Sequence, residues 1–342
     1  MEDFRMKQAR PGNRIFLLGL VFIIWAWNSI GHSAELSSVI DQGLKTIDVQ
    51  PASPQLLVVT NAPYLHQQDV SGLIYVRAIE KTAGATVGSG NLLFFWSDSS
   101  SPLLVMLFNK EHGKSVVIKQ RGDDFHSETF DLSWGKVNQP QFWDEAGTYL
   151  LGRDLSVLVP LAHAWAKGMP YEYMKLAELH GDLCPGITAG YLMVKYLEKE
   201  YPLGNGERYI IVATPSYCKD DAFQLLLGST AGKKRLVASQ LSEEQKKNIT
   251  VPHPAGIVIV WNPSTRTGKG LALSFNFDDV RELVPTGKDS PKPIITMSLF
   301  KWFNQPERFV KVAAKFAVDN TVYKKILETG VNPYELVGLT KK

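Results

Sequence analysis

The sequence predicts an α+β fold built from a duplicated unit, with added helices at the C-terminus. Two observations support this prediction. The same order of elements, a helix, a strand, a helix and then three strands, occurs in both halves of the 342-residue chain. A Gly-x-Thr-x-Gly-x-x-x-Leu spacing also enters a strand in each half, at residues 84–92 and again at residues 228–236.

The composition is that of a globular protein with a substantial core. Hydrophobic residues make up 44% of the chain, and the formal net charge is +3. No basic stripe interleaved with aromatic residues occurs along the sequence. We therefore expect no nucleic-acid partner.

Residues 1–34 are predicted to be a signal peptide or an N-terminal anchor. An apolar run over residues 15–27, too short to span a bilayer comfortably, follows the basic residues Arg5, Lys7, Arg10 and Arg14. Ser33-Ala34-Glu35 offers a cleavage point, but His32 fits such a point poorly, so an uncleaved anchor stays an alternative. We expect a periplasmic or other extracytoplasmic protein, which contacts the membrane only if this segment is retained.

The first predicted unit spans residues 35–130. Apolar residues at helical spacing predict a helix over Leu36–Ile47, and a buried type of strand follows at Leu56–Thr60. The next elements in order are a helix over Val70–Lys81 and strands at Asn91–Trp96, Leu103–Phe108 and Lys114–Lys119.

Residues 131–174 are predicted to form a helical connector, with one helix over Leu155–Ala166. The second unit, residues 175–290, repeats the order of the first with Ile187–Glu200 (helix), Tyr209–Ala213 (strand), Lys219–Leu227 (helix), Arg235–Ser239, Gly256–Trp261 and Gly270–Phe277 (strands). Residues 291–342 are predicted to be a helical segment, with helices over Met297–Phe303, Glu307–Val318 and Val322–Thr329.

The chain has two cysteines, and each lies at the entrance of a predicted helix. Cys184 follows His180 by four residues, and Cys218 precedes the Lys219 helix. Free backbone N–H groups and the helix dipole favour thiolates at such positions. Two sulfurs and one imidazole nitrogen suit Zn²⁺, with water, Asp182 or Asp221 in the fourth position.

Two alternatives remain for these residues at this point. In an oxidising compartment Cys184 and Cys218 could instead form one disulfide, with no metal. Asp221 could also serve only to complement the dipole of its helix. Gln224, three residues later, could face the same site or solvent.

Three motifs occur in order around these residues, at 180–186 (His-Gly-Asp-Leu-Cys-Pro-Gly), 218–224 (Cys-Lys-Asp-Asp-Ala-Phe-Gln) and 228–233 (Gly-Ser-Thr-Ala-Gly-Lys). In these motifs the chain resembles the FmdE-like family of formylmethanofuran dehydrogenase proteins, over roughly residues 175–280. The resemblance implies an α+β domain with a mixed sheet and a bound metal, usually zinc. The implied ligands are His180, Cys184 and Cys218, with Asp221 and Gln224 lining the pocket.

The chain departs from the family pattern at several points. Asp182 stands where the family has a second histidine, and Ser229 where it has a cysteine. The cysteine-rich zinc ribbon at the end of many members is missing, and the first unit has no cysteine, so it resembles a degenerate copy without a site. Two-fold pairing of such units, within the chain or in a homodimer, is expected from the resemblance.

These observations favour an exported protein that binds a metal ion for binding, sensing or delivery, and a small-molecule ligand is an open second partner. One rival is a zinc-dependent hydrolase or transferase with an open metal position, in which Asp182 or Asp221 acts as the base on water. Another is a structural protein with a Cys184–Cys218 disulfide. The sequence does not decide whether the protein is an enzyme.

Overall fold

The structure is a computed structural model that describes residues 33–67, 70–284, 290–328 and 330–341. The predicted targeting segment lies almost entirely outside the described residues. None of the helices in these ranges has the length and apolar character needed to cross a bilayer. The predicted α+β fold with a duplicated unit is confirmed, because two five-stranded mixed sheets are present together with helices.

The first unit begins with helix α1, over residues 33–46. The following elements are β1 (Leu56–Thr60), β2 (His66–Gln67), β3 (Val70–Ser71), α2 (Leu73–Ala83), β4 (Leu92–Phe94), β5 (Leu104–Asn109), β6 (Lys114–Arg121) and β7 (Asp124–Asp131). The sheet order is β4-β1-β5-β6-β7, and the β1–β4 pair alone is parallel. Helices α1 and α2 share a buried cluster with the sheet that includes Ile40, Ile79 and Val105.

Four helices connect the two units: α3 (Trp134–Val137), α4 (Pro140–Ala146), α5 (Leu155–Ala166) and α6 (Tyr171–His180). The predicted helix over Leu155–Ala166 is confirmed. Helix α5 is buried on most sides. Its apolar residues belong to one large cluster with residues of both sheets, among them Leu57 of β1 and Ile211 of the second sheet. The two units therefore share a core.

The second unit and the C-terminal segment contain α7 (Pro185–Glu200), β8 (Arg208–Ala213), α8 (Lys219–Leu226), β9 (Leu236–Ala238), α9 (Glu243–Asn248), β10 (Pro254–Asn262), β11 (Thr267–Phe275), α10 (Phe277–Arg281), α11 (Lys292–Ser298), β12 (Val310–Val318), α12 (Asn320–Ile326) and α13 (Pro333–Leu336). The sheet order is β12-β11-β10-β8-β9, with β8 and β9 parallel and the other pairs antiparallel. Listed from its other edge, the second sheet is β9-β8-β10-β11-β12, which matches β4-β1-β5-β6-β7 of the first sheet position by position.

The repeated Gly-x-Thr-x-Gly spacing forms the same turn in both units. Gly84 and Gly228 have φ angles of 64° and 59°, in the left-handed region where a β-carbon is unfavourable. The hydroxyls of Thr86 and Thr230 accept the N–H of the residue three positions later, at 3.1 and 3.3 Å. Each turn leads into the strand that pairs in parallel with the first strand of its unit.

One predicted helix is wrong, because residues 310–318 form strand β12 instead of continuing a helix over Glu307–Val318. Alternate residues of this strand are more and less exposed, and it pairs antiparallel with β11. Each sheet thus has one more antiparallel strand than the sequence analysis predicts, β7 in the first unit and β12 in the second. Where one helix was predicted over Met297–Phe303, the structure has α11, which ends at Ser298, and a short 3-10 helix over Phe300–Trp302. Helix α12 begins two residues before the predicted Val322–Thr329 and ends at Ile326. The predicted domain boundaries stay predictions.

Candidate metal centre

Three helix ends meet at one point of the second unit. His180 is the last residue of α6, Cys184 is the N-cap of α7, and Cys218 immediately precedes α8. One side-chain nitrogen or sulfur from each of these three residues lies within 4.8 Å of the others. Among the described residues, this is the group in which three candidate metal ligands come together.

The turn between α6 and α7 fixes the first two of these side chains. Gly181 ends α6 with a φ of 99°, a left-handed conformation that favours glycine. Pro185 then starts α7, where its missing N–H costs nothing. The Cys184 sulfur accepts the Ile187 N–H at 3.4 Å, so it occupies the position of a helix-capping acceptor.

Two glycines on α7 allow Cys218 to approach. A β-carbon at Gly186 would lie 2.9 Å from Cβ of Cys218, and one at Gly190 would lie 2.4 Å from the carbonyl oxygen of Lys219. These separations are shorter than van der Waals contact, so any larger residue would push α8 away from α7. The close packing of the two helix starts brings the two sulfurs together.

A buried ion pair holds the turn that carries Cys218. The side chain of Lys219 is fully buried, and its Nζ donates to Asp220 Oδ1 at 2.7 Å and to the Pro215 carbonyl at 2.8 Å. Asp220 Oδ2 accepts the Tyr217 N–H at 3.0 Å. Sequence reasoning missed this pair, because a lysine beside two aspartates is usually exposed.

The imidazole of His180 is oriented by groups on both of its sides. Its Nδ1 hydrogen-bonds to Asp221 Oδ2 at 2.7 Å, and Gln224 Nε2 donates to the other Asp221 oxygen at 3.1 Å. Its Nε2 lies 3.6 Å from the Cys184 sulfur and 3.7 Å from Asp182 Oδ1. Asp221 and Gln224 therefore lie behind the imidazole, and Asp182 lies on the side of the sulfurs.

The pKa values of all three residues are shifted, and the shift is large for His180. Hydrogen bonds to Asp221 and then to Cys184 raise the pKa of His180 to about 11, against the effect of burial. Burial raises the pKa of the Cys184 thiol, but hydrogen bonds from His180 and the Ile187 N–H outweigh it, so the net pKa is lowered. The pKa of Cys218 is raised by burial and by the neighbouring Cys184. Such shifts are typical of functional sites.

Other sequence-level candidates lie apart from this cluster. Ser229, at the family's cysteine position, is buried and its hydroxyl donates to the Tyr209 carbonyl at 3.3 Å. Within the cluster itself, Cys184 and Cys218 are free cysteines. The remaining described histidines are not part of the cluster: His66, His112, His126, His163 and His253.

Comparison with known proteins agrees with the resemblance found in the motifs. Residues 179–307 match the family model described as "FmdE, Molybdenum formylmethanofuran dehydrogenase operon". No curated protein matches the chain. The matched segment contains all three residues of the cluster and excludes the first unit. This supports an FmdE domain in the second half of the chain.

Proposed function

We propose that this chain is an FmdE-like metal-binding protein, in which His180, Cys184 and Cys218 hold one metal ion. The convergence of Nε2 and two sulfurs, at the ends of three different helices and within 4.8 Å, carries the proposal. One imidazole and two thiolates favour zinc over magnesium or calcium, which prefer oxygen ligands. Zinc would supply a positive charge that stabilises both thiolates in this partly buried position.

The neighbouring residues fit such an ion. Asp182 Oδ1 is buried and has no hydrogen-bond partner among the described residues, as expected for an oxygen placed to face a bound ion. Burial raises the pKa of the Asp182 carboxyl, against the opposing charges of His180 and Lys292. Because His180 Nδ1 donates a hydrogen bond to Asp221, Nε2 is the ring nitrogen that lies on the side of the sulfurs. Metal-binding histidines commonly have a carboxylate partner of this kind.

We further propose a role in binding, sensing or delivery, at an extracytoplasmic location. The three ligand residues are only partly buried, and the carboxylate that faces them belongs to Asp182. The export proposal rests on the basic and apolar pattern of residues 1–34. A zinc-dependent hydrolase or transferase is the second candidate, favoured by the unpartnered oxygen of Asp182 beside three ligand atoms.

Metal content and free thiols, measured together on the full chain purified without chelators, test the proposal. We expect one equivalent of metal, and two thiols that react only after the metal is removed. Cys184→Ser, Cys218→Ser and His180→Ala should each abolish stoichiometric binding, while His112→Ala, outside the cluster, should bind like the parent. No metal and no free thiol would establish the Cys184–Cys218 disulfide instead.

Hydrolase activity is tested on the same material. The metal-loaded parent and Asp182→Asn would be assayed against a panel of ester, amide and phosphoester model substrates. Metal-dependent turnover that Asp182→Asn removes, with metal content unchanged, would replace the binding role by the enzymatic one. We expect no turnover above that of the metal-free protein.

A further inference from the structure

A tryptophan of the first unit lies beside the metal centre of the second. Trp96 follows β4, and its backbone N–H donates to the Ala177 carbonyl of α6 at 3.2 Å. A β-carbon at Gly181 would lie 3.4 Å from the Trp96 carbonyl oxygen and 3.9 Å from Cε3 of its ring. Because Gly181 lies between His180 and Asp182, the indole lies against the turn that carries these two residues of the site.

The indole of Trp96 is partly exposed and has no aromatic or cationic partner among the described residues. Trp96 is 45% exposed, and no aromatic ring or cation within the described part of the chain lies against its ring. The other described tryptophans all have such a partner: Trp134 with His163 and Lys167, Trp143 with Phe142, Trp165 with Lys110, Trp261 with Tyr323, and Trp302 with Phe309 and Arg308. An exposed, unpaired aromatic face beside a site is suited to stacking on a flat ligand.

The charged groups around the metal centre select among flat ligands. A divalent ion would balance two thiolates, which leaves the carboxylates of Asp182 and Asp221 on either side of the imidazole. The positive charge of Lys292 offsets part of the negative charge of the Asp182 carboxylate. The remaining field is negative, so it favours a neutral or cationic ligand over an anion.

The donor atoms define the ligand further. A metal held by sulfur and imidazole takes nitrogen or sulfur donors readily. The unpartnered Oδ1 of Asp182 would accept a hydrogen bond from such a ligand. We infer that the metal centre binds a neutral or cationic aromatic nitrogen heterocycle, with Trp96 of the first unit stacking on its ring. This inference rests on the proposed metal-binding function and assigns a role to the unit that has no ligands.

Optical titration of the cobalt-loaded full chain tests this inference with three probes: imidazole, benzimidazole and the anion benzoate. Trp96→Ala should lower the ratio of benzimidazole to imidazole affinity about fivefold, because one stacked pair is lost. The affinity for imidazole, which is too small to extend over the indole, should stay unchanged. Trp96→Phe should keep most of the ratio, and benzoate should bind more weakly than benzimidazole.

Trp134→Ala is the matched control, since Trp134 is similarly exposed at 40% but already packs against His163 and Lys167. It should leave the ratio unchanged. An unchanged ratio in Trp96→Ala, no binding of any probe, or benzoate binding as tightly as benzimidazole would overturn the inference. If cobalt–thiolate absorption is present in those cases, the proposed metal site stands; if that absorption is absent, both fail.

Discussion

The two units have sheets of the same topology but differ at the helix ends. Both have the same strand order and the same glycine–threonine turn before the parallel edge strand. At the start of α8 the second unit has Cys218, whereas the residue before α2 is Gly72. A β-carbon at Gly72 would lie 1.9 Å from the Ala62 carbonyl oxygen, so the backbone there leaves no room for any ligating side chain. The site thus depends on how closely the helix ends approach one another. The sheet topology that the two units have in common does not create it.

Acid should weaken the core between the two units through one histidine. His163 is 6% exposed, and its Nε2 contacts the Leu132 carbonyl at 2.9 Å. Burial lowers its pKa to about 4 from an ordinary value of 6.5. The unfolded chain takes up a proton on His163 below pH 6.5, whereas the folded protein does so only near pH 4. The contribution of neutral His163 to the free energy of unfolding is therefore complete above pH 6.5 and is lost as the pH falls toward 4. We expect a loss of about 2 kcal/mol in the free energy of unfolding between about pH 7.5 and about pH 5.

Denaturant unfolding in the presence of chelator would measure this loss, because the chelator removes any contribution of bound metal. His163→Gln should be less stable near pH 7.5 and should lack this part of the pH dependence. An identical pH dependence in the parent and the variant would show that His163 is not responsible.

A matched pair of glycine substitutions compares the helix packing of the two units. Gly190→Ala would place a methyl group 2.4 Å from a backbone oxygen of Lys219, whereas Gly43→Ala would meet Leu107 Cδ1 at 2.7 Å, the end of a flexible side chain. We expect Gly190→Ala to cost about 2 kcal/mol of stability and to weaken metal binding. Gly43→Ala should cost less than about 1 kcal/mol and leave metal binding unchanged, since helix propensity offsets the crowding.

Thermal unfolding and metal titration of both variants would check this pair. Equal losses in the two would mean that the close contact between α7 and α8 has no special role.

The carboxylate behind His180 should affect metal affinity without being needed for folding. Asp221→Asn keeps the shape and weakens the partner of Nδ1, so we expect metal affinity to fall about 10- to 100-fold. Competition with a chromophoric chelator would measure this change. An Asp221→Asn affinity equal to that of the parent would contradict the assigned orientation of His180.

The smallest expected effect comes from the turn that both units share. Thr86→Ala removes the hydrogen bond that its hydroxyl accepts from the Ser89 N–H at 3.1 Å and the one that it donates to the Ser89 hydroxyl at 2.8 Å. Thr230→Ala removes the hydrogen bond that its hydroxyl accepts from the Lys233 N–H at 3.3 Å. Each should lower stability by about 0.5 to 1 kcal/mol, and neither should change metal content. Calorimetry of the two variants would test whether the turns are equivalent, and a loss confined to one of them would mean that they are not.

The sequence predicted the parts of the molecule that depend on local pattern. The helix-entrance positions of Cys184 and Cys218, with His180 four residues before Cys184, were sufficient to select the three residues that the structure brings together. The orientation of Asp221 was not predictable, because it depends on the contact between α6 and α8 rather than on spacing. Strand β12 was missed because alanines and lysines in Val310–Val318 also suit a helix, and only pairing with β11 decides between them.

X-ray absorption at the zinc edge, on the full chain loaded with one equivalent of zinc, would show whether His180, Cys184 and Cys218 hold the ion. We expect two sulfur neighbours at about 2.3 Å and at least one nitrogen at about 2.0 to 2.1 Å. We also expect Cys218→Ser to lose stoichiometric zinc. A coordination shell of nitrogen and oxygen without sulfur would show that Cys184 and Cys218 do not bind the metal.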